Sequence, residues 1–363
     1  MEKIAFIDHS YHKKTKSSEF FITFLKEKYI VDVIWDESWC NNKPLDVSSI
    51  DENYYAVIFW QNIYPETVNK VRSKCANIIF IPMYDASILA PMEYWNDIMN
   101  VKVINFSKTL HNKTCDLGFQ SFYIQYFPDY KFYVKVHGES ERKSTNSVFF
   151  WNRREELNWN VVKELIGNQQ IDKIHIHKAL DPDCKFFPPS SEDEKKYNIT
   201  YSSWFETRSD YISELNKHNI YIAPRLTEGI GFSFLEAMAM GKAVIAVDAP
   251  TMNEYIENGK NGYLFSLDDP IELNMGDILK VQKNARQTVQ DGIKKWHEHK
   301  EKIYSFIASP IIIKVFVEKS VTSRIVQMEN VNVKYLIKQF LKRILPISVI
   351  QFLKKTKKCL RSL

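Results

Sequence analysis

Short apolar runs alternate with helical patterns along the first third of the chain. "KIAFID" (residues 3–8) reads as a strand, "SEFFITFLKEKY" as a helix and "VDVIW" as a second strand. "YYAVIFW" and "NIIFIPM" read as two further strands with helical "PETVNKVRSK" between them, and "VKVINFS" as another, followed by a mixed segment up to Pro128. Strands that are apolar almost throughout, separated by helices, mark a parallel sheet covered on both faces. The polar stretch "HGESERKSTNS" (His137 to Ser147) marks a linker. The pattern then restarts: strand "SVFFWN", helix "EELNWNVVKELIG", strand "DKIHIHKA", helix "SDYISELNKH", strand "NIYIAP", helix "FLEAMAMG", strand "KAVIAVD", helix "MNEYIENG". A long helix is expected over 284–307. The expected fold class is α/β, two Rossmann-like, doubly wound domains facing each other across a cleft. The expected boundaries are 1–140 and 147–308, with 309–363 as a crossover and tail.

A length of 363 residues suits about two domains. The five cysteines (Cys40, Cys75, Cys115, Cys184, Cys359) are scattered and form no Cys-x-x-Cys pair. That argues against a disulfide framework or a zinc site, and for a reducing compartment. The chain enters a strand-like run at once, without signal-peptide architecture, and no apolar stretch approaches the roughly 20 residues of a membrane span. A cytoplasmic protein is expected. The net charge of +5 is uneven, because nine basic residues and no acid follow Val331. The remainder is net negative, which excludes a nucleic-acid-binding core. On a helix over Lys334–Leu345, Leu336, Ile337, Phe340, Leu341, Ile344 and Leu345 share one face, with Lys334, Lys338 and Lys342 opposite. A basic amphipathic tail, 334–361, is expected to meet an anionic membrane surface; the other reading packs it on the first domain.

Residues 224–241, "PRLTEGIGFSFLEAMAMG", hold three of the ten glycines and two glutamates. They follow the strand "NIYIAP", and ligands of open parallel sheets sit at the carboxyl ends of strands. Gly229 and Gly231 permit close backbone approach. The amides from about Phe232 to Leu235 open a helix and form an anion site. Ser233-x-x-Glu236 is also a capping-box pattern, which would confine Glu236 to its own helix. Glu228 lies outside the helix and has no such local task.

The stretch "EGIGFSFLEAMAMGKAVIAVDAPTMNEYIENGKNGYLF" resembles the donor-binding segment of retaining GT-B glycosyltransferases, family 4 (group 1). Glu228 and Glu236 have the family spacing, and Gly229, Gly231, Gly241 and Gly262 fall at family positions. The resemblance implies a GT-B fold and a nucleotide-sugar donor held by the second domain. It implies that Glu236 accepts bonds from the ribose and that Glu228, the catalytic candidate, faces the transferred sugar or its leaving phosphate. Gly229, Gly231, Phe232 and Ser233 would contact sugar and diphosphate. It also implies retention of anomeric configuration, with no metal and no other cofactor.

The sequence departs from that pattern in places. The usual Gly-Arg turn is Asn152 followed by Arg153 and Arg154, and the phosphate-clamping Lys is absent, with Asn158 and Trp159 near its place. Arg153, Arg154 and Arg225 are the phosphate candidates. The first loop carries Lys13, Lys14 and Lys16, with Ser17 as the expected cap of the next helix. Tyr84 stands where the family often has His, followed by Asp85, so Tyr84, Asp85 and Lys16 are the acceptor-side candidates; His9 and His111 are substitutes. "LDPDC" mimics an Asp-x-Asp metal motif, but Pro182 between the aspartates indicates a turn. The expected function is transfer to a lipid-linked or growing glycan in bacterial envelope polysaccharide assembly (capsule, O-antigen or lipooligosaccharide), at the inner face of the membrane. The rivals are a GT-B nucleotide-sugar epimerase and a non-catalytic nucleotide-sugar-binding partner subunit.

Overall fold

The computed structural model describes residues 1–41, 43–137 and 146–312, which belong to one compact unit. Its strands are β1 (Lys3–His9), β2 (Ile30–Asp36), β3 (Tyr54–Gln61), β4 (Ile78–Pro82), β5 (Lys102–Asn105) and β6 (Gln120–Tyr123), then β7 (Ser147–Asn152), β8 (Lys173–Lys178), β9 (Thr200–Ser202), β10 (Ile220–Ile222), β11 (Ala243–Val247) and β12 (Tyr263–Phe265). They form two six-stranded sheets, ordered β2-β1-β3-β4-β5-β6 and β12-β11-β10-β7-β8-β9. Neighbouring strands pair parallel throughout, for example Ile220↔Val148 between β10 and β7. Every residue of β4 and β11 is buried, which is why these strands read as unbroken apolar runs: helices cover both faces. The two doubly wound domains are therefore present as expected. Apolar runs alone did not separate β6 and its preceding helix Lys108–Asp116, nor the three-residue β9 and β12. These strands are too short to show a period.

The crossover expected after residue 308 is made by the long helix itself. Ile278–Ala308 begins in the second domain, six residues earlier than the apolar pattern indicates, and ends on the first. The Tyr304 hydroxyl donates to the Phe24 carbonyl at 2.8 Å, and the Asn77 amide to the Ile307 carbonyl at 3.1 Å. A Cβ at Gly292 would lie 2.4 Å from the Phe127 ring, so the helix passes the first domain at backbone distance. Its C-terminus meets the Lys102 ammonium, which is fully buried and donates to the carbonyls of Phe306 (2.9 Å), Ile307 (2.7 Å) and Ser309 (2.7 Å). A cation at that end satisfies carbonyls without an intrahelical partner and opposes the helix dipole. Most of the expected linker and the whole basic tail lie outside the described residues. Among the described residues, no helix is long and apolar enough to cross a membrane.

Candidate active site

In the second sheet the chain runs outward from β7 to β8 and β9, then returns to the other side of β7 to lay down β10. The loops leaving β7 and β10 therefore diverge and open a crevice at the carboxyl edge of the sheet. Arg153 and Arg154 leave β7 there; Arg225 and Glu228 leave β10. Asp181, from the loop after β8, draws the three arginines together: Arg153 Nε lies 2.7 Å from it, Arg154 Nη1 3.7 Å and Arg225 Nη1 3.8 Å. Asp181 is thus committed to guanidinium groups, and the Asp-Pro-Asp segment is a turn, with the Cys184 amide on the Asp181 carbonyl. The first domain adds Asp85, just beyond β4, which accepts from Arg225 Nη2 at 3.1 Å. Arg225 therefore ties the two domains together across the cleft.

Glu228 sits among these groups, partly buried. Burial raises its carboxyl to about 7, against the pull of Arg225 and Arg153 and with the repulsion of Asp85 and Asp181. Burial likewise raises Asp85, outweighing Arg225. A carboxyl poised near neutrality in a cleft lined by guanidinium groups is typical of functional sites. Gly229 makes the narrow cleft possible, because a Cβ there would lie 2.9 Å from Met83 of the first domain.

The helix Phe232–Ala239 starts from Gly231, whose φ of 87° is left-handed and suits glycine. A Cβ on Gly231 would overlap the Phe234 ring. No side chain caps this helix, and its first internal bond runs from the Leu235 amide to the Gly231 carbonyl at 3.1 Å. The amides of Phe232, Ser233 and Phe234 precede that ladder and make an anion-receptive end; Leu235 does not belong to the set. The capping-box reading of Glu236 is overturned, since Ser233 lies inside the helix and not at its cap. Glu236 is buried and instead meets the Arg208 guanidinium, which also donates to the Tyr133 hydroxyl at 3.1 Å. Burial raises the Glu236 carboxyl, and Arg208 and then Tyr133 partly offset this.

Residues 189–276 match the family model described as glycosyl transferases, group 1. No curated protein matches the sequence. Among solved structures the chain is similar to sucrose-phosphate synthase from Thermosynechococcus elongatus, at 13% identity and a TM-score of 0.59 over 84% of this chain and 100% of that one. It is also similar to HepE from Anabaena in complex with UDP and glucose, at 13% identity and 0.54 over 84% and 100%. A glycosyltransferase from Rickettsia africae is similar at 15% identity and 0.52 over 84% and 98%. The fold is that of the GT-B glycosyltransferases, and the group 1 match falls on the second domain.

The place of the missing Lys is structural. Asn158 caps the helix Trp159–Ile166, accepting from the Asn160 amide, and the buried Trp159 indole donates to Asp193 at 2.9 Å. Of the acceptor-side candidates, Asp85 joins the Glu228 cluster. Tyr84 packs against the core on one face of the first sheet. Lys16 is 66% exposed, 4.0 Å from Glu19, outside the cluster. Lys13 pairs with Glu37 at 3.4 Å on the surface. Ser17 does not cap the following helix; Ser18 holds the cap position, and its hydroxyl donates to Asp8. His9 stacks on Trp39, and His111 bonds Ser121.

Sequence reasoning missed Arg208, Tyr133 and Asp181 as the hub of the arginines, and it missed Glu254, whose carboxylate meets Ser107, Lys108 and Thr109 of the first domain. Glu254 had a signal, since it lies in the segment that resembles the family. Asp181 was marked only as part of a turn, and Arg208 and Tyr133 carry no signal, because only chain folding brings them to their partners.

Proposed function

We propose that the chain is a retaining glycosyltransferase that moves a sugar from a nucleotide-sugar donor to a lipid-linked or growing glycan in bacterial envelope polysaccharide assembly. The observation that carries this reading is Glu228, a carboxyl held near neutrality beside Arg225 and Arg153. The switch-point crevice receives the donor. The three leading amides of the Gly231-capped helix and the arginines of the Asp181 cluster face the diphosphate, whose charge grows as the glycosidic bond breaks. Glu228 orients the transferred sugar, and Glu236 takes the ribose hydroxyls in exchange for its contact with Arg208. HepE's complex with UDP and glucose supports a UDP-sugar as the first donor to try. The clustered guanidiniums supply the positive field without a divalent ion. The basic tail, 334–361, brings the enzyme to the inner face of the membrane.

A thermal-shift screen of UDP-, GDP-, dTDP- and CMP-sugars tests the donor, because a ligand that binds only the folded state raises the melting temperature. Transfer with the selected donor, followed by NMR of the product's anomeric centre and repeated with chelator, tests the rest. Isomerised donor without an acceptor would mark an epimerase. Binding without turnover would mark a partner subunit, and an inverted product or a chelator-sensitive rate would overturn the mechanism.

A further inference from the structure

Away from the cleft, a second cluster of chemistry-bearing side chains lies between the second sheet and the helix Arg208–Asn216. His175 comes from β8, Glu214 from the last turn of the helix and His218 from just beyond it. Glu214 and His218 are four residues apart, so helical spacing sets them side by side. His175 and His218 are buried, at 4% and 1% exposure. Three ligand atoms, one from each residue, lie within 4.8 Å of one another.

The distances are informative. His175 Nδ1 lies 3.7 Å and His218 Nε2 3.5 Å from the same oxygen, Glu214 Oε1. Those separations are at or past the limit of a useful hydrogen bond. They are close to the spacing of about 3.3–3.5 Å between ligands that surround a tetrahedral zinc ion at its usual bond lengths. The remaining ring nitrogens are held by hydroxyls, His175 Nε2 by Ser202 at 2.8 Å and His218 Nδ1 by Ser147 at 2.6 Å. Metal-bound imidazoles are normally held in this way through their second nitrogen. The Thr200 hydroxyl also bonds His175 Nδ1 at 2.9 Å, a contact that a bound metal would replace. The Lys217 ammonium takes the other Glu214 oxygen, leaving Oε1 directed at the histidines.

We propose that His175, Glu214 and His218 form a structural site for a divalent transition metal, best matched to zinc by its N, N, O ligand set. The site is separate from the donor crevice and independent of the proposed reaction. It joins β8 to the far end of the helix whose first residue, Arg208, meets Glu236. A metal there fixes the helix that presents Arg208 to the donor-side carboxylate.

The test uses the full chain, stripped with chelator and dialysed, then titrated with Zn²⁺ alone. Expected are about one zinc per chain by elemental analysis and a rise in melting temperature of at least about 2 °C. With Co²⁺ alone, the visible absorption of a four-coordinate ion is expected. Glu214→Gln and His218→Gln should each lose both the stoichiometric metal and the thermal increment. Wild-type chain that takes up no stoichiometric zinc and melts unchanged overturns the proposal, whatever the variants do. Undiminished uptake in both variants also overturns it, by placing the ion elsewhere.

Discussion

The Glu254 carboxylate of the second domain accepts the backbone amide of Lys108 in the first domain at 2.6 Å. The same carboxylate takes the Thr109 amide (3.0 Å), the Thr109 hydroxyl (2.8 Å) and the Ser107 hydroxyl (2.9 Å). A carboxylate of one domain thus closes the N-terminus of the helix Lys108–Asp116 of the other, where free amides and the helix dipole both favour negative charge.

Glu254→Ala should therefore lower stability by about 1–3 kcal/mol, measured by urea denaturation. Glu254→Gln keeps an acceptor oxygen and loses mainly the charge at the helix end, so its loss should be about 0.3–1 kcal/mol. Equal losses in the two variants would show that the hydrogen bonds do not hold the junction.

Glu228 makes stability depend on pH. Its folded carboxyl sits at about 7, above the ordinary 4.5. Between those values the folded chain binds the proton more tightly than the unfolded one, so the residue's contribution is fully present below about 4.5 and is lost as pH rises toward 7. Glu228→Gln removes this titration. The variant should gain on wild type between pH 4.5 and 7 and hold a steady advantage above, about 1–2 kcal/mol after allowing for partial solvent access. Melting curves from pH 4.5 to 8 read this directly. The same variant should lose at least about tenfold in turnover, about 1.4 kcal/mol of barrier.

Arg208 and Glu236 form a pair whose members differ in exposure, the guanidinium largely in solvent and the carboxylate buried. Glu236→Ala should weaken nucleotide binding by about 1.5–3 kcal/mol, the range for hydrogen bonds to a charged group. Arg208→Gln leaves a buried carboxylate with less compensation and should cost about 1–3 kcal/mol of stability. Adding Glu236→Gln should restore part of it. A double-mutant cycle in urea checks the coupling, and strictly additive losses would refute it.

Lys102→Met deletes the ammonium that meets three carbonyls at the end of the long helix. Methionine fills similar space but leaves those carbonyls unsatisfied. The expected loss is about 3 kcal/mol, by equilibrium urea unfolding. A loss below about 0.5 kcal/mol would mean that the helix end finds other partners.

The order of strands and helices was legible in the sequence because burial on both faces writes unbroken apolar runs into β4 and β11, and that signal is local. The site's address was legible too: Glu228, the glycines and Glu236 lie on one strand-to-helix connection within nine consecutive residues. Their environment was decided by tertiary structure. Arg208 stands 28 residues from Glu236, and Asp85 stands 140 from Arg225; no periodicity relates such positions. They meet because β10 returns to pair with β7 and because the two sheets turn their carboxyl edges to one cleft. The capping-box pattern at Ser233 shows the limit of local reading. Two residues at the right spacing suggested a cap, but the left-handed turn at Gly231 starts the helix before Ser233 and leaves Glu236 to a partner from another part of the fold.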